Sequence, residues 1–337
     1  MEERSSNRQT YIIIGLIVLI IIILLTLIDF SAVFELLSTA DWRLIGVGTV
    51  LLVLSYVFLT VRWRFILRSR HSYRDLLNVT SSGYMFAIIL QLPTTVYRLL
   101  VMERKSMAKV TDTSSALAVE VILSLLLRLF GALVVISLLV ARSREAESFV
   151  ATSLIIVVGL LILMFLIIAF RERLEPGVAR LLTLLPNMTD EKAQHTSASI
   201  FQAAASAGSP RRFGIGLFLS MCYWLCGFGF YAFVVQAFSL DEGLQIAAIA
   251  AAAMTIVPIS TPMMIGVFHG LLIATLVALK LGTTTEATSY AIIVHFIQMT
   301  VLLFLGSLGL RRLNLKPREI ILDVRARMRR GDVEAAS

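Results

Sequence analysis

Six stretches of the chain, 11–28, 44–61, 114–140, 149–170, 213–238 and 288–310, run for 18 to 27 residues with at most two charged side chains each. A helix rises 1.5 Å per residue, so about 20 apolar residues cross the ~30 Å hydrocarbon layer of a bilayer. Composition agrees with six crossings: 58% of the 337 residues are hydrophobic, 15% are charged, and mean hydropathy is +0.87. A soluble domain carries roughly 25% charged residues. The deficit excludes a soluble globular protein, a disordered chain and a secreted disulfide scaffold. What remains is an all-α polytopic membrane protein. The first stretch lacks a clear small-x-small cleavage site and reads as an anchor rather than a removed signal peptide.

Two more apolar segments are interrupted. Segment 76–101 is broken at Pro93, and segment 244–281 at Pro258 and Pro262, with Gly266 close behind. Proline removes a backbone donor and stops a helix. At membrane depth such a break survives only where it is buried in protein or lines a cavity. Both segments are therefore expected to dip into the membrane and return, and the second has length enough for two short crossings instead.

The basic residues test this arrangement. With a cytoplasmic N-terminus and two re-entrant segments, the inner pieces 1–10, 62–75, 102–113, 171–212 and 311–337 hold 24 Lys and Arg. The outer loops 29–43, 141–148, 239–243 and 282–287 hold 3. That asymmetry is a strong positive-inside signal, with both termini cytoplasmic. The formal charge of +8 is then mostly orientation, and nucleic acid is not an expected partner. The order span, span, hairpin, span occurs twice, over 11–140 and 149–310, and the second copy starts on the opposite face. Six spans and two proline-broken segments thus form an inverted repeat in one transmembrane domain, 1–312, followed by a basic tail, 313–337. Inverted repeats with breaks at matching positions mark transporters, and the breaks point to the substrate. The bland alternative is a scaffold with two proline kinks.

Ionisable groups inside membrane segments are costly and face a cavity or a partner. Arg98, Glu120, Arg128 and His269 stand out. Arg98 follows the first break and His269 the second. Glu120 and Arg128 lie about 80° apart around one helix and about 12 Å apart along it, with Ser124 between. One reading is a polar groove where Arg98 and Arg128 hold an anionic head group, since the guanidinium fork suits phosphate. The other is an interhelical Glu120–Arg98 or Glu120–Arg128 ion pair that holds no ligand. His295 and Gln298 share a helix face and read as packing. Cys222 and Cys226, one turn apart in an apolar stretch, also read as packing rather than a metal site.

Two cytoplasmic features suggest surfaces. Arg62, Trp63 and Arg64 open a run of five arginines interleaved with aromatics, directly after a span. Anionic lipid head groups are its expected partner. Residues 316–330 place Ile320, Ile321, Val324 and Met328 on one helical face among arginines, the pattern of a helix lying on the inner leaflet. A solvated flank explains both equally well. No Walker-type phosphate loop, GxSxG, HExxH or CxxC occurs, and the longest loop, 171–212, is too short for a catalytic domain. Neither enzymatic activity nor a cofactor or metal is expected.

Several features recur in an order similar to a known family: Arg62-Trp63-Arg64 after the second span, Pro93 then Arg98 at the first break, Glu120 opening the next span, Ser209-Pro210-Arg211-Arg212 in the loop, and Pro262 to Phe268 near the end. The chain resembles the lysylphosphatidylglycerol synthase transmembrane-region family, the flippase-like half of the multiple peptide resistance factor, over roughly residues 10–312. The resemblance implies lipid handling: translocation of lysyl-phosphatidylglycerol, hopanoid transport, or glycolipid and polysaccharide pathways. Lysyl transfer belongs to a separate soluble domain, for which this chain has no room. Departures matter too. Met263 and Met264 stand where the family has two glycines, His269 where it has a Glu, and the first break lacks the usual acid before Arg98. Losing two acids makes the groove more cationic.

The expected protein is a lipid translocase of a bacterial or archaeal inner membrane, moving an anionic phospholipid, glycolipid or isoprenoid-type lipid. The alternative is an accessory subunit bound to an envelope-biosynthesis enzyme. A third reading is a polyprenyl-phosphate enzyme with Glu120 as its acid. A homo-oligomer is compatible with all three.

Overall fold

Backbone polar groups cannot stay unpaired in hydrocarbon, so an apolar chain satisfies them within helices. The structure, a computed structural model, describes residues 30–67, 71–91, 93–110, 112–121, 123–124, 131, 170–183, 210–240, 243–256, 264, 266–320 and 322–323, with single positions 155, 159, 162, 166, 190, 194 and 197. Among them all regular structure is helical. The elements are α1 (Phe30–Thr39), α2 (Trp42–Leu67), α3 (Tyr73–Leu90), α4 (Thr94–Arg104), α5 (Arg171–Leu182), α6 (Pro210–Ala237), α7 (Gly243–Ile256), α8 (Val267–Ala278) and α9 (Thr284–Arg312). Residues 112–121 are helical as well.

Trp42–Leu67, Phe213–Ala237 and Thr284–Arg312 are long and apolar enough to cross a membrane. They coincide with the spans expected at 44–61, 213–238 and 288–310. The spans expected at 11–28, 114–140 and 149–170 lie wholly or largely outside the described residues, as do Arg128, Pro258 and Pro262.

Each expected break separates two helices. α3 is capped at its start by Ser72, whose Oγ accepts from the Asp75 N–H at 3.2 Å. It ends at Gln91, held at φ 55°, and Pro93 then serves as N-cap of α4. Proline lacks the N–H that a continuing helix would need, so the chain turns here. α3 and α4 pack on each other: the Tyr97 hydroxyl donates to Ser82 Oγ at 2.8 Å, and the Phe86 and Tyr97 rings stack at 5.0 Å. At the second break α7 packs on α8, which starts after Gly266. That glycine sits at φ 86°, where a Cβ would be strained.

The described chain forms two compact units. One comprises Met1–Val50 with Phe228–Thr300, the other Leu51–Gly227 with Val301–Ser337. In the first, Tyr290 is fully buried and its hydroxyl donates to the Tyr231 carbonyl at 3.2 Å. Gln298 Nε2 donates to the Tyr231 hydroxyl at 2.6 Å. The alanines of α7, Ala247, Ala248 and Ala250–Ala253, are all buried. Small side chains let helices approach closely where dispersion rather than the hydrophobic effect drives packing.

In the second unit, Trp63, Leu76, Val79, Phe86, Tyr97 and Leu100 to Met102 make the core, joined by Leu310, Leu313 and Leu315. Gly306 and Gly309 let α9 lie against α3: a Cβ would come 2.5 Å from Met85 Cβ at the first and 2.6 Å from the Asn78 carbonyl at the second. The described start of the tail, residues 313–320, packs on the same unit. Ile320, expected to face lipid, is fully buried in this core. Arg104 pairs with Glu319 at 2.5 Å and Asp323 at 3.1 Å, which holds the segment against the end of α4. Ile320 is therefore covered by protein rather than by lipid. Ile321, Val324 and Met328 lie outside the described residues.

Candidate functional site

The buried polar groups of the second unit converge on one carboxylate. Glu120 stands on the helical stretch 112–121 and is 6% exposed. Its Oε2 accepts from Arg98 Nη1 at 2.6 Å, and its Oε1 accepts from Arg62 Nη2 at 3.1 Å. Each arginine is 1% exposed. Arg62 also donates through Nη1 to Ser220 Oγ at 2.9 Å and reaches Ser124 Oγ at 3.5 Å. The Arg98 guanidinium lies over the Trp63 ring, 5.0 Å from its centroid, and 5.2 Å from that of Tyr84. Aromatic faces carry the negative end of a quadrupole and favour a cation there. Both oxygens of Glu120 accept from guanidinium groups, the arrangement of an ionised carboxylate. Two cations and one anion leave the cluster with a net positive charge.

The local fold explains each placement. Arg98 is on the second turn of α4, so the Pro93 break sets its height. Gly83 of α3 makes room beside it: a Cβ there would lie 3.0 Å from the Tyr97 ring and 3.6 Å from Arg98 Cγ. Arg62 continues the buried face of α2 below Leu52, Ser55 and Leu59.

Of the expected site residues, Arg98 and Glu120 are together, as one of the two sequence readings had them. Arg62 and Trp63 require a correction. They were expected on a lipid head-group surface, and both are inside, at 1% and 0% exposure. The signal was helical phase: spacings of three and four residues from Leu52 carry the buried stripe to Ser55, Leu59 and then Arg62. Arg64, on the opposite side, is exposed as expected. Arg128 lies outside the described residues.

His269 belongs to the other unit. It follows Gly266 on the first turn of α8, and its Nε2 lies 3.3 Å from His295 Nδ1 of α9. Phe268 meets both rings edge-on, at 5.7 and 5.3 Å. His295, read from sequence as packing, is the histidine's hydrogen-bond partner.

Long apolar helices, two broken helical pairs and a buried ion cluster define an integral membrane protein of the helical class. The description of one protein family, the lysylphosphatidylglycerol synthase TM region, matches residues 12–306. The chain belongs to that family, which ties it to a function concerned with membrane lipids. No curated protein and no solved structure matches it.

Proposed function

We propose that this protein is a flippase-type lipid translocase rather than an enzyme. It moves an anionic lipid across a bacterial or archaeal inner membrane, with both termini in the cytoplasm. The observation that carries this reading is the buried, net-positive Arg62–Glu120–Arg98 cluster beside the helical break at Pro93. Charge inside a membrane segment is expensive and is kept where it serves an ion or substrate. Glu120 holds both arginines while no substrate is bound. A lipid phosphate meets the Arg98 donors that Glu120 does not use, and the acyl chains stay in the bilayer while the head group passes. The 24-to-3 asymmetry of basic residues and the inverted order of spans and breaks support the same reading.

Reconstitution tests it. Proteoliposomes carrying fluorescent phosphatidylglycerol are quenched from outside, and the fraction that becomes accessible reports translocation. The parent protein accelerates translocation over empty liposomes, and Arg98→Ala slows it at least about tenfold, the loss of one charged contact at the rate-limiting step. An Arg98→Ala protein that elutes as a folded species and moves lipid as fast as the parent defeats the proposal.

A further inference from the structure

We propose that the cluster selects lipids whose head group bears one negative charge, on a phosphodiester, and no amine. The inference rests on the translocase reading and adds the substrate class to it.

The first ground is unmet hydrogen bonding. Arg98 Nε and Nη2, Arg62 Nε and Trp63 Nε1 are all buried without an acceptor in good hydrogen-bond geometry among the described residues, with the neutral Tyr84 hydroxyl the nearest further polar group to Arg98 after Glu120. The Thr80 hydroxyl is in the same state. Buried donors without acceptors are rare and call for an explanation. Nε and Nη2 are the two N–H groups along one edge of the Arg98 guanidinium. That edge binds two oxygens of one oxyanion side by side. Glu120 uses only Nη1, so beyond the neutral Tyr84 hydroxyl no anionic acceptor among the described residues meets this edge. The unmet N–H donors come from three side chains on α2 and α4, so they approach from more than one direction. A tetrahedral phosphate meets such a set better than a planar carboxylate does.

The second ground is charge. Arg62, Arg98 and Glu120 sum to one positive charge. A singly charged phosphodiester brings the buried cluster to zero. A phosphomonoester with two charges overshoots, and a zwitterion leaves the positive charge standing. The amine of a zwitterionic or aminoacylated lipid meets a further obstacle. Both Glu120 oxygens are already engaged, and the unmet guanidinium and indole groups are donors only, so among the unmet groups just the neutral Thr80 hydroxyl can accept. The cluster therefore discriminates against aminoacylated phosphatidylglycerol, the lipid whose synthesis gives the family its description.

Binding is read as the thermal shift of the purified full chain in detergent. The probes are short-chain phosphatidylglycerol, phosphatidic acid, phosphatidylcholine and lysyl-phosphatidylglycerol, with decanoate as a carboxylate and dimethyl phosphate as a chain-free diester. At about pH 8.5 the phosphomonoester is doubly charged. Phosphatidylglycerol is expected to half-saturate at a concentration about tenfold or more below the others. Arg98→Gln and Trp63→Phe lose that preference, the second without changing charge. Glu120→Gln raises the cluster to two positive charges and moves the preference to phosphatidic acid. Equal shifts from phosphatidylcholine, lysyl-phosphatidylglycerol or decanoate overturn the selection. An equal shift from dimethyl phosphate overturns the lipid assignment. Translocation in proteoliposomes is scored separately. Lipids moved without selection sink this inference and leave the translocase reading; selective binding without movement does the reverse.

Discussion

Glu120→Gln is the sharpest perturbation of the ion cluster. The wild-type carboxylate accepts from Arg98 at 2.6 Å and from Arg62 at 3.1 Å, with all three residues at or below 6% exposure. Glutamine keeps the shape. Its amide oxygen serves one arginine, while its NH₂ group turns a donor toward the other. One charge-assisted hydrogen bond is lost, worth about 1.5–3 kcal/mol. A buried guanidinium is left without a counter-charge, and breaking such a pair costs about 3–5 kcal/mol in all. Each kcal/mol moves the melting temperature of a 150–250-residue protein by about 2–4 °C, and less in a longer chain. With about 2.1 cal/mol/K of unfolding entropy per residue, each kcal/mol is about 1.4 °C in this chain, so the variant should melt about 4–7 °C below the parent in detergent, followed by helical circular dichroism. A fall under about 2 °C would refute the reasoning, because the cluster would then be wet or unpaired. The matching control replaces all three groups, Arg62→Met, Arg98→Met and Glu120→Leu. It should melt no lower than the parent, since apolar side chains of similar volume remove the desolvation cost along with the attraction.

Two further outcomes follow from other parts of the fold. Gly309→Ala, whose Cβ meets the Asn78 carbonyl at 2.6 Å, should destabilise by about 1–3 kcal/mol, and Gly306→Ala similarly; Gly227→Ala, with nothing within 4 Å of its Cβ, should be neutral or stabilising by up to about 1 kcal/mol, all read from melting curves. The Glu319 carboxyl is held below the usual range, chiefly by its hydrogen bond from Arg104. A depressed carboxyl contributes stability above its unfolded value, about 4.3, and loses it as pH falls through the folded value. A cysteine at Ile320 should thus gain reactivity toward a pH-tolerant thiol reagent only below the normal carboxyl range, and Arg104→Gln should abolish that pH dependence.

Much of this protein was legible before folding was considered. The helices Trp42–Leu67, Phe213–Ala237 and Thr284–Arg312 follow from unbroken apolar runs, because a bilayer leaves a chain of that length and hydropathy no other way to satisfy its backbone. The break at Pro93 follows from a missing N–H, a property of a single residue, while Pro258 and Pro262, from which the second break was read, lie outside the described residues. Family membership was legible in short motifs. Partnership was not. That Glu120 is shared by Arg98 and Arg62, residues 22 and 58 positions away, depends on how α2, α4 and the helix at 112–121 meet. Arg62 looked like the start of a basic surface because Arg64, Arg68 and Arg70 follow it, and only burial separates the first from the second. Ile320 looked like a lipid-facing residue because an amphipathic face does not say what covers it. His269 and His295 meet across 26 positions in the same way. Hydropathy and backbone chemistry act along the chain and are written in it. Pairing of charges acts through space, so tertiary structure alone decided which of the few buried cations has its partner.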